Sequence, residues 1–574
     1  MRLRHLLIAV LGALALTVGT AAADGGLILP ISQVQAGMNC IGETVVHGTT
    51  ISSFNVHVID IVQDPVEGPR ILVSVSGPAV DATGVAQGMS GSPVYCEDGT
   101  GRMRNAGAIS EGIGEYGNKV ALVTPIEQML GEPVTPPSSA ARMSLRGRPL
   151  LGPLTVGGLS PSMLALLQRA GRRAGRAVTP APVGGGALSF PIQSLVPGAS
   201  VATQYSTGAV PVGAVGTVTY VDGQTVYAFG HPLDGAGRRS LLLQDAYVYY
   251  VVGNPNTGDN TSYKLASPGH TVGTLTADTP NAVIGQLGAP PATVPIDVIA
   301  HDLDTGALVT ERTQVADETD VGQPLGSSLI DLVAPLAIAQ GATEIYNGPP
   351  ANQTGRLCLT VTVREIRGPL QFCNRYVSTG APGDSAEIPP ALALSASLDA
   401  STALGLIDQV QFAALHITRV VALIDAQRGL HEATIVSAHA PTRVRAGQVV
   451  EVRLRVQPYR ARQRVIMFKL RIPRDAVGHV EAKIDSPVSQ TSGGQAAALA
   501  SSMTSALSGG GSAGGDPGPT APPSSVASLR KAFTRIGVYD GLEVRFSGGP
   551  ARDVYRDPGM LITGSAQLSF DVRP

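Results

Sequence analysis

At 574 residues the chain exceeds what one hydrophobic core supports, so several domains are expected. With 43% hydrophobic and 15% charged residues it is not a disordered chain, and 69 glycines with 43 prolines favour short strands joined by turns. A net charge of −2 gives no electrostatic footprint for nucleic acid as a partner.

Residues 1–23 read as a signal peptide. Met1, Arg2, Arg4 and His5 make a basic start, Leu6 to Gly19 an apolar run, and Ala21, Ala22 and Ala23 a small-residue cleavage site before Asp24. A retained anchor is the alternative, although the run is shorter than the ~20 residues a membrane helix needs. No later apolar run reaches that length. The mature chain is therefore predicted to be exported to periplasm, cell envelope or medium, without a stable membrane span.

Residues 26–136 form a first β domain, with strands at Thr44–Val46, Ser53–Val62 and Arg70–Val75. Residues 137–188 combine a Pro-, Ser- and Ala-rich linker with a helix that starts at Ser160-Pro161 and ends in solvated arginines. A second β domain spans 189–392, with strands at Ala214–Val221, Thr225–Phe229, Leu241–Val252 and Ala292–Ala300. Residues 393–426 read as helical, because Leu404, Leu406, Ile407, Val410, Phe412, Leu415 and Ile417 make a broad apolar face. Residues 430–574 read as a β-sandwich-like domain, with strands at Glu432–Ser437, Gln448–Gln457 and Gln463–Ile472. Within it, 490–525 is a Gly/Ser/Ala-rich flexible insert, followed by a short helix at Ser528–Arg535 and strands at Leu542–Ser547 and Ala566–Val572.

Four cysteines suit an oxidising compartment. Cys358 and Cys373 flank a hairpin turning near Gly368-Pro369, which sets them opposite each other, and Cys40 and Cys96 then pair by default. No C-x-x-C or histidine cluster accompanies them, so no metal is expected.

The sharpest local feature is Gly88-Met89-Ser90-Gly91-Ser92-Pro93. Glycine on both sides of Ser90 allows a tight turn that exposes a hydroxyl and aims the N–H groups of Gly88 and Ser90 at one point, as an oxyanion hole does. Such turns are also common without catalysis. A nucleophilic serine needs a base, and His231 in Phe229-Gly230-His231-Pro232 stands at the end of a strand pair. A turn-capping histidine is the competing reading of that residue.

Together these segments resemble the SpoIVB peptidase family of bacterial serine endopeptidases. The family's GMSGSP nucleophile loop is matched from Gly88 to Pro93, and its G-T-[LIV]-T-[FY] strand and G-H element by Gly216–Tyr220 and Gly230-His231. Gly107–Ile109, Val123–Glu127 and Gly273–Asp278 match further, so the resemblance covers roughly Ile31 to Ala300. It implies a trypsin-like double β-barrel, here with the serine half first, beside the C-terminal sandwich-like domain. In that reading Ser90 is nucleophile, His231 base, and Gly88 with Ser90 the oxyanion hole. A protein or peptide substrate is implied and no cofactor. The sporulation enzyme carries an Asp-Pro before its serine loop, where this chain reads Ser76-Gly77-Pro78, and a PDZ domain that has no counterpart here. The triad acid is therefore open: Asp278 is the candidate, with Asp81, Asp234 and Asp245 as contenders and a turn role equally expected for Asp278. The C-terminal domain would present a substrate or tether the enzyme to an envelope partner. An inactive binding or scaffold protein on the same fold is the alternative, and an esterase is a weaker third.

Overall fold

The computed structural model describes residues 28–573 apart from 65–67, 114–118, 138–139, 143–147, 150–153, 182–189, 254–261, 347–349, 351, 380–390, 487–494, 508–521, 537–540, 548 and 551. The expected signal peptide lies outside the described residues. Over the described residues the chain is mainly β.

The first domain is a closed, six-stranded antiparallel barrel. Its strands are β1 (Asn39–His47), β2 (Thr50–Asp64), β3 (Gly68–Ser76), β4 (Pro93–Glu97), β5 (Met103–Ile113) and β6 (Val120–Pro125). Around the barrel they run β1-β2-β3-β6-β5-β4, and β4 pairs back onto β1. Alternation along each strand sends Val56, Val58, Ile71, Val73, Val94, Ile109 and Val123 into one core. Cys40 stands opposite Cys96 where β4 meets β1, and the two are disulfide-bonded as expected.

After the helix α1 (Pro161–Arg173) come β7 (Ser200–Gly208), β8 (Val212–Asp222), β9 (Thr225–Ala228), β10 (Gly237–Val252), β11 (Tyr263–Thr279) and β12 (Ala282–Leu287). Their pairings run β7-β8-β9-β12-β11-β10 and return to β7. The strand order repeats that of the first barrel. One sheet continues beyond this ring through β13 (Thr293–Asp302), β14 (Leu308–Ala316), β15 (Asn352–Val363), β16 (Leu370–Thr379) and β17 (Ile417–Arg428). The buried helices α2 (Leu329–Glu344) and α3 (Ala391–Asp408) pack on each other and on it. Cys358 and Cys373 are register partners on β15 and β16 and form the second disulfide, again as expected.

Three expectations are corrected. Residues 393–426 are not one helix: the helix ends at Asp408, and Ile417–Arg428 is a central strand between β13 and β15. Val420, Ala422, Ile424 and Ala426 are buried at period two, so Leu415 and Ile417 do not continue the helical face. The insert 490–525 contains a helix, α4 (Gln495–Leu507), whose Leu499, Ala500, Met503 and Leu507 are buried against α1 and α3. Its Ala, Leu and Met content favours helix despite the Gly-rich surroundings. The arginines after α1 are not all solvated, since Arg176 is nearly buried and paired with Asp234.

The C-terminal domain packs a four-stranded sheet (Glu432–His439, Val449–Pro458, Arg464–Arg471, Leu561–Thr563) on a five-stranded one. Val452, Leu454 and Phe468 from the first meet Ile484, Val544 and Phe570 from the second in one core. Among the described residues no helix is long and apolar enough to cross a membrane.

Candidate active site

Ser90 and His231 belong to different barrels, and their loops meet at one seam. Gly91, at φ +89°, lies so close to β8 that a Cβ there would collide with Thr217 O and Phe229 N. Thr219 Oγ1 donates to Gly91 O at 2.7 Å. From the other side, Thr124 Oγ1 of β6 donates to Gly230 O at 2.7 Å, one residue before His231. A Cβ on Gly230 would stand 2.9 Å from that of Ala108 on β5. Apolar clusters close the seam around them: Val45 with Ala202, Val215 and Val248, and Ala108 and Ile126 with Ala282.

The serine loop has its carbonyls pinned one after another. Gln87 O accepts from Lys264 N at 2.9 Å, and Gly88 O from Thr217 Oγ1 at 3.1 Å. Met89 O accepts from Ser92 N and Oγ at 3.0 and 2.6 Å, and Ser90 O from Thr217 N at 2.8 Å. Since C=O and N–H of a peptide point oppositely, pinning Gln87 O and Met89 O fixes where the N–H groups of Gly88 and Ser90 point. Among the described residues neither N–H is bonded to another group. Ser90 itself is fully buried, and its Oγ has no hydrogen-bond partner among the described residues.

The histidine loop is strained and clamped. Phe229 (φ 72°) and Gly230 (φ 72°) are consecutive left-handed residues, and Phe229 is held there by burial of its ring against Gly216. His231 is buried, and its Nδ1 lies 2.7 Å from Pro232 O. That contact puts the ring proton on Nδ1 and leaves Nε2 as the basic nitrogen, an assignment made from the geometry.

Asp278 meets the backbone after His231. Its carboxylate accepts from Leu233 N and Asp234 N, both at 2.7 Å, and from Ala236 N at 3.2 Å. Burial raises its pKa, against the pull of these N–H groups. Asp234 in turn binds Arg176, Tyr205 Oη at 2.7 Å and Arg239 Nη1 at 2.6 Å. Burial would raise the Asp234 carboxyl, but the two guanidiniums outweigh it and hold the group low. Asp81 is out on the surface with Lys119, and Asp245 accepts from His270 Nδ1 at 3.1 Å.

Thr217, Thr219 and Lys264, which carry the loop's hydrogen bonds, are not singled out by the sequence as functional residues. The G-T-V-T-Y match did cover both threonines. No family model, curated protein or solved structure matches the chain.

Proposed function

We propose that the chain is an exported serine endopeptidase, captured in a closed state, that cleaves a specific protein substrate or itself. Ser90 Oγ would attack the carbonyl, His231 Nε2 would take its proton and return it to the leaving amine, and the N–H groups of Gly88 and Ser90 would hold the oxyanion. The observation that carries this reading is the Ser90 turn: an unpartnered buried hydroxyl beside two fixed, uncommitted N–H groups, at a seam shared with the His231 loop. Two successive six-stranded rings of identical strand order support the trypsin-like double-barrel reading with the serine half first. No metal or organic cofactor enters the proposed chemistry. The Pro232 carbonyl would orient the imidazole, with Asp278 acting on it through the loop.

The C-terminal domain would tether the enzyme to an anionic envelope partner. Arg453, Arg455, Lys469 and Arg471 share its outward sheet face, and Glu451 is the single acid between Arg443 and Arg474.

Full burial of Ser90 and near-full burial of His231 favour a second reading, a binding or scaffold protein that keeps the fold without turnover. Labelling of the purified protein with a fluorophosphonate probe separates the two. Catalysis requires labelling that Ser90→Ala and His231→Ala abolish and His270→Ala keeps. A folded wild type that neither labels nor cleaves itself on incubation leaves the scaffold reading.

A further inference from the structure

Lys264 is a buried cation beside the serine loop that the proposed chemistry leaves unused. It sits on β11 in the second barrel with only 2% exposure, yet among the described residues no carboxylate pairs with it. Its Nζ donates to Thr217 Oγ1 at 3.1 Å and to Ser200 Oγ at 3.3 Å. Thr217 Oγ1 in turn donates a hydrogen bond to Gly88 O. The aliphatic stem lies against Gly88, where an added Cβ would be 3.2–3.3 Å from the Lys264 Cβ, Cγ and Cδ. The Lys264 backbone N–H fixes Gln87 O, hence the peptide plane that carries the Gly88 N–H.

We infer that Lys264 is a positioning residue for the oxyanion turn: its main chain and its amine, acting through Thr217, fix the two peptide planes that flank Gly88. This rests on the protease reading for its kinetic consequence, although the turn's geometry does not depend on that reading. A buried lysine without an acid is costly to fold around, and a plain strand residue would be apolar here. Desolvation pushes the amine down to about 7, so near neutrality the neutral form, which still donates N–H bonds, is populated alongside the ion. The chain of contacts also explains why Thr217, and not an apolar β-branched residue, stands on β8. Its hydroxyl donates to Gly88 O and accepts from the lysine, while its backbone N–H donates to Ser90 O.

The test uses the full mature chain and its variants Lys264→Met, Thr217→Val and Thr217→Ser, each checked for a single cooperative thermal melt. Two readouts are taken: fluorophosphonate inactivation separated into kinact and KI, and amide exchange of the peptide spanning Gln87–Ser92. An oxyanion donor acts in the transition state, so its misplacement is expected to lower kinact by about ten- to a hundredfold with KI held within about twofold. Lys264→Met and Thr217→Val should both do this and speed exchange of the loop peptide, while Thr217→Ser, which keeps the hydroxyl, restores both. Wild-type kinact and exchange in Lys264→Met, or a loss confined to KI, overturns the assignment. If Lys264→Met does not fold, the Val/Ser pair at Thr217 decides. If the wild type neither labels nor cleaves itself, the protease reading falls, and loop exchange alone still decides whether Lys264 positions the turn.

Discussion

The carboxylate of Asp278 accepts the backbone N–H of Leu233 at 2.7 Å, two residues beyond His231. With the Asp234 and Ala236 bonds it holds three backbone N–H groups of the histidine loop. Asp278→Asn keeps the shape but turns an acceptor into a donor that faces N–H groups. It is expected to lower stability by about 2–4 kcal/mol, and probe labelling with it. Chemical denaturation beside labelling checks this. Unchanged stability with labelling lost would instead make Asp278 part of the chemistry.

Gly91 leaves no room for a side chain between the barrels. Gly91→Ala forces a Cβ into Thr217 O and Phe229 N, both backbone atoms that cannot move without moving β8 and the His231 loop. The expected result is loss of more than about 3 kcal/mol and no labelling. Gly99→Ala is the control: it also has positive φ (+76°) but meets nothing within 4 Å, so only backbone strain of about 1 kcal/mol is expected. Similar melts for the two variants would mean that the seam is not closely packed in solution.

Much of this was legible in the chain, and the exceptions share physical causes. The Gly88–Pro93 turn announced itself because glycine and serine density has few other uses between strands. The cysteine pairing followed from hairpin geometry at Cys358 and Cys373. Lys264 was silent, because a lysine on an alternating strand reads as solvent-facing, and the groups around it, Ser200 and Thr217 of its own barrel and Gly88 of the other, are far away in sequence. Leu415 and Ile417 fitted a helical face by spacing, but the strand that starts there answers to β13 and β15, which are more than fifty residues away in sequence. The partners of Asp278 were only half legible, for a related reason. Its location beside the histidine loop was legible from a shared β domain, whereas the choice between ring and backbone is a matter of ångströms.

The two disulfides should differ in weight. Cys40–Cys96 closes a loop of 56 residues and ties β1 to β4, directly after the serine turn, whereas Cys358–Cys373 spans 15 within one hairpin. Loop-closure entropy assigns them about 4 and 3 kcal/mol. Paired Cys→Ala variants are expected to follow that order in denaturant midpoint. Only Cys40→Ala/Cys96→Ala should also slow labelling, because β4 continues directly from Pro93. Equal effects on labelling would detach the bridge from the site.

Lys264 also predicts a pH signature that belongs to the fold and not to catalysis. Its folded pKa, near 7, lies below the ordinary lysine value of about 10.4, so between these limits the unfolded chain binds the extra proton. Stability from this group therefore rises with pH across that window, and its burial cost is complete below pH ~7. The groups that face the amine are the Ser200 and Thr217 hydroxyls, which do not titrate, so no partner shifts the window. Elsewhere Glu311, raised to about 8 by burial and by Glu344, and Asp399, raised to about 6 by burial, lose stability as pH rises. Those terms cancel when wild type and Lys264→Met are compared at each pH. The variant should be more stable than wild type at pH 6, and the gap should shrink by roughly 3–5 kcal/mol towards pH 10. A gap that does not change between pH 6 and 10 would mean that Lys264 keeps its solvent-exposed pKa and that the seam around the serine turn is open to water.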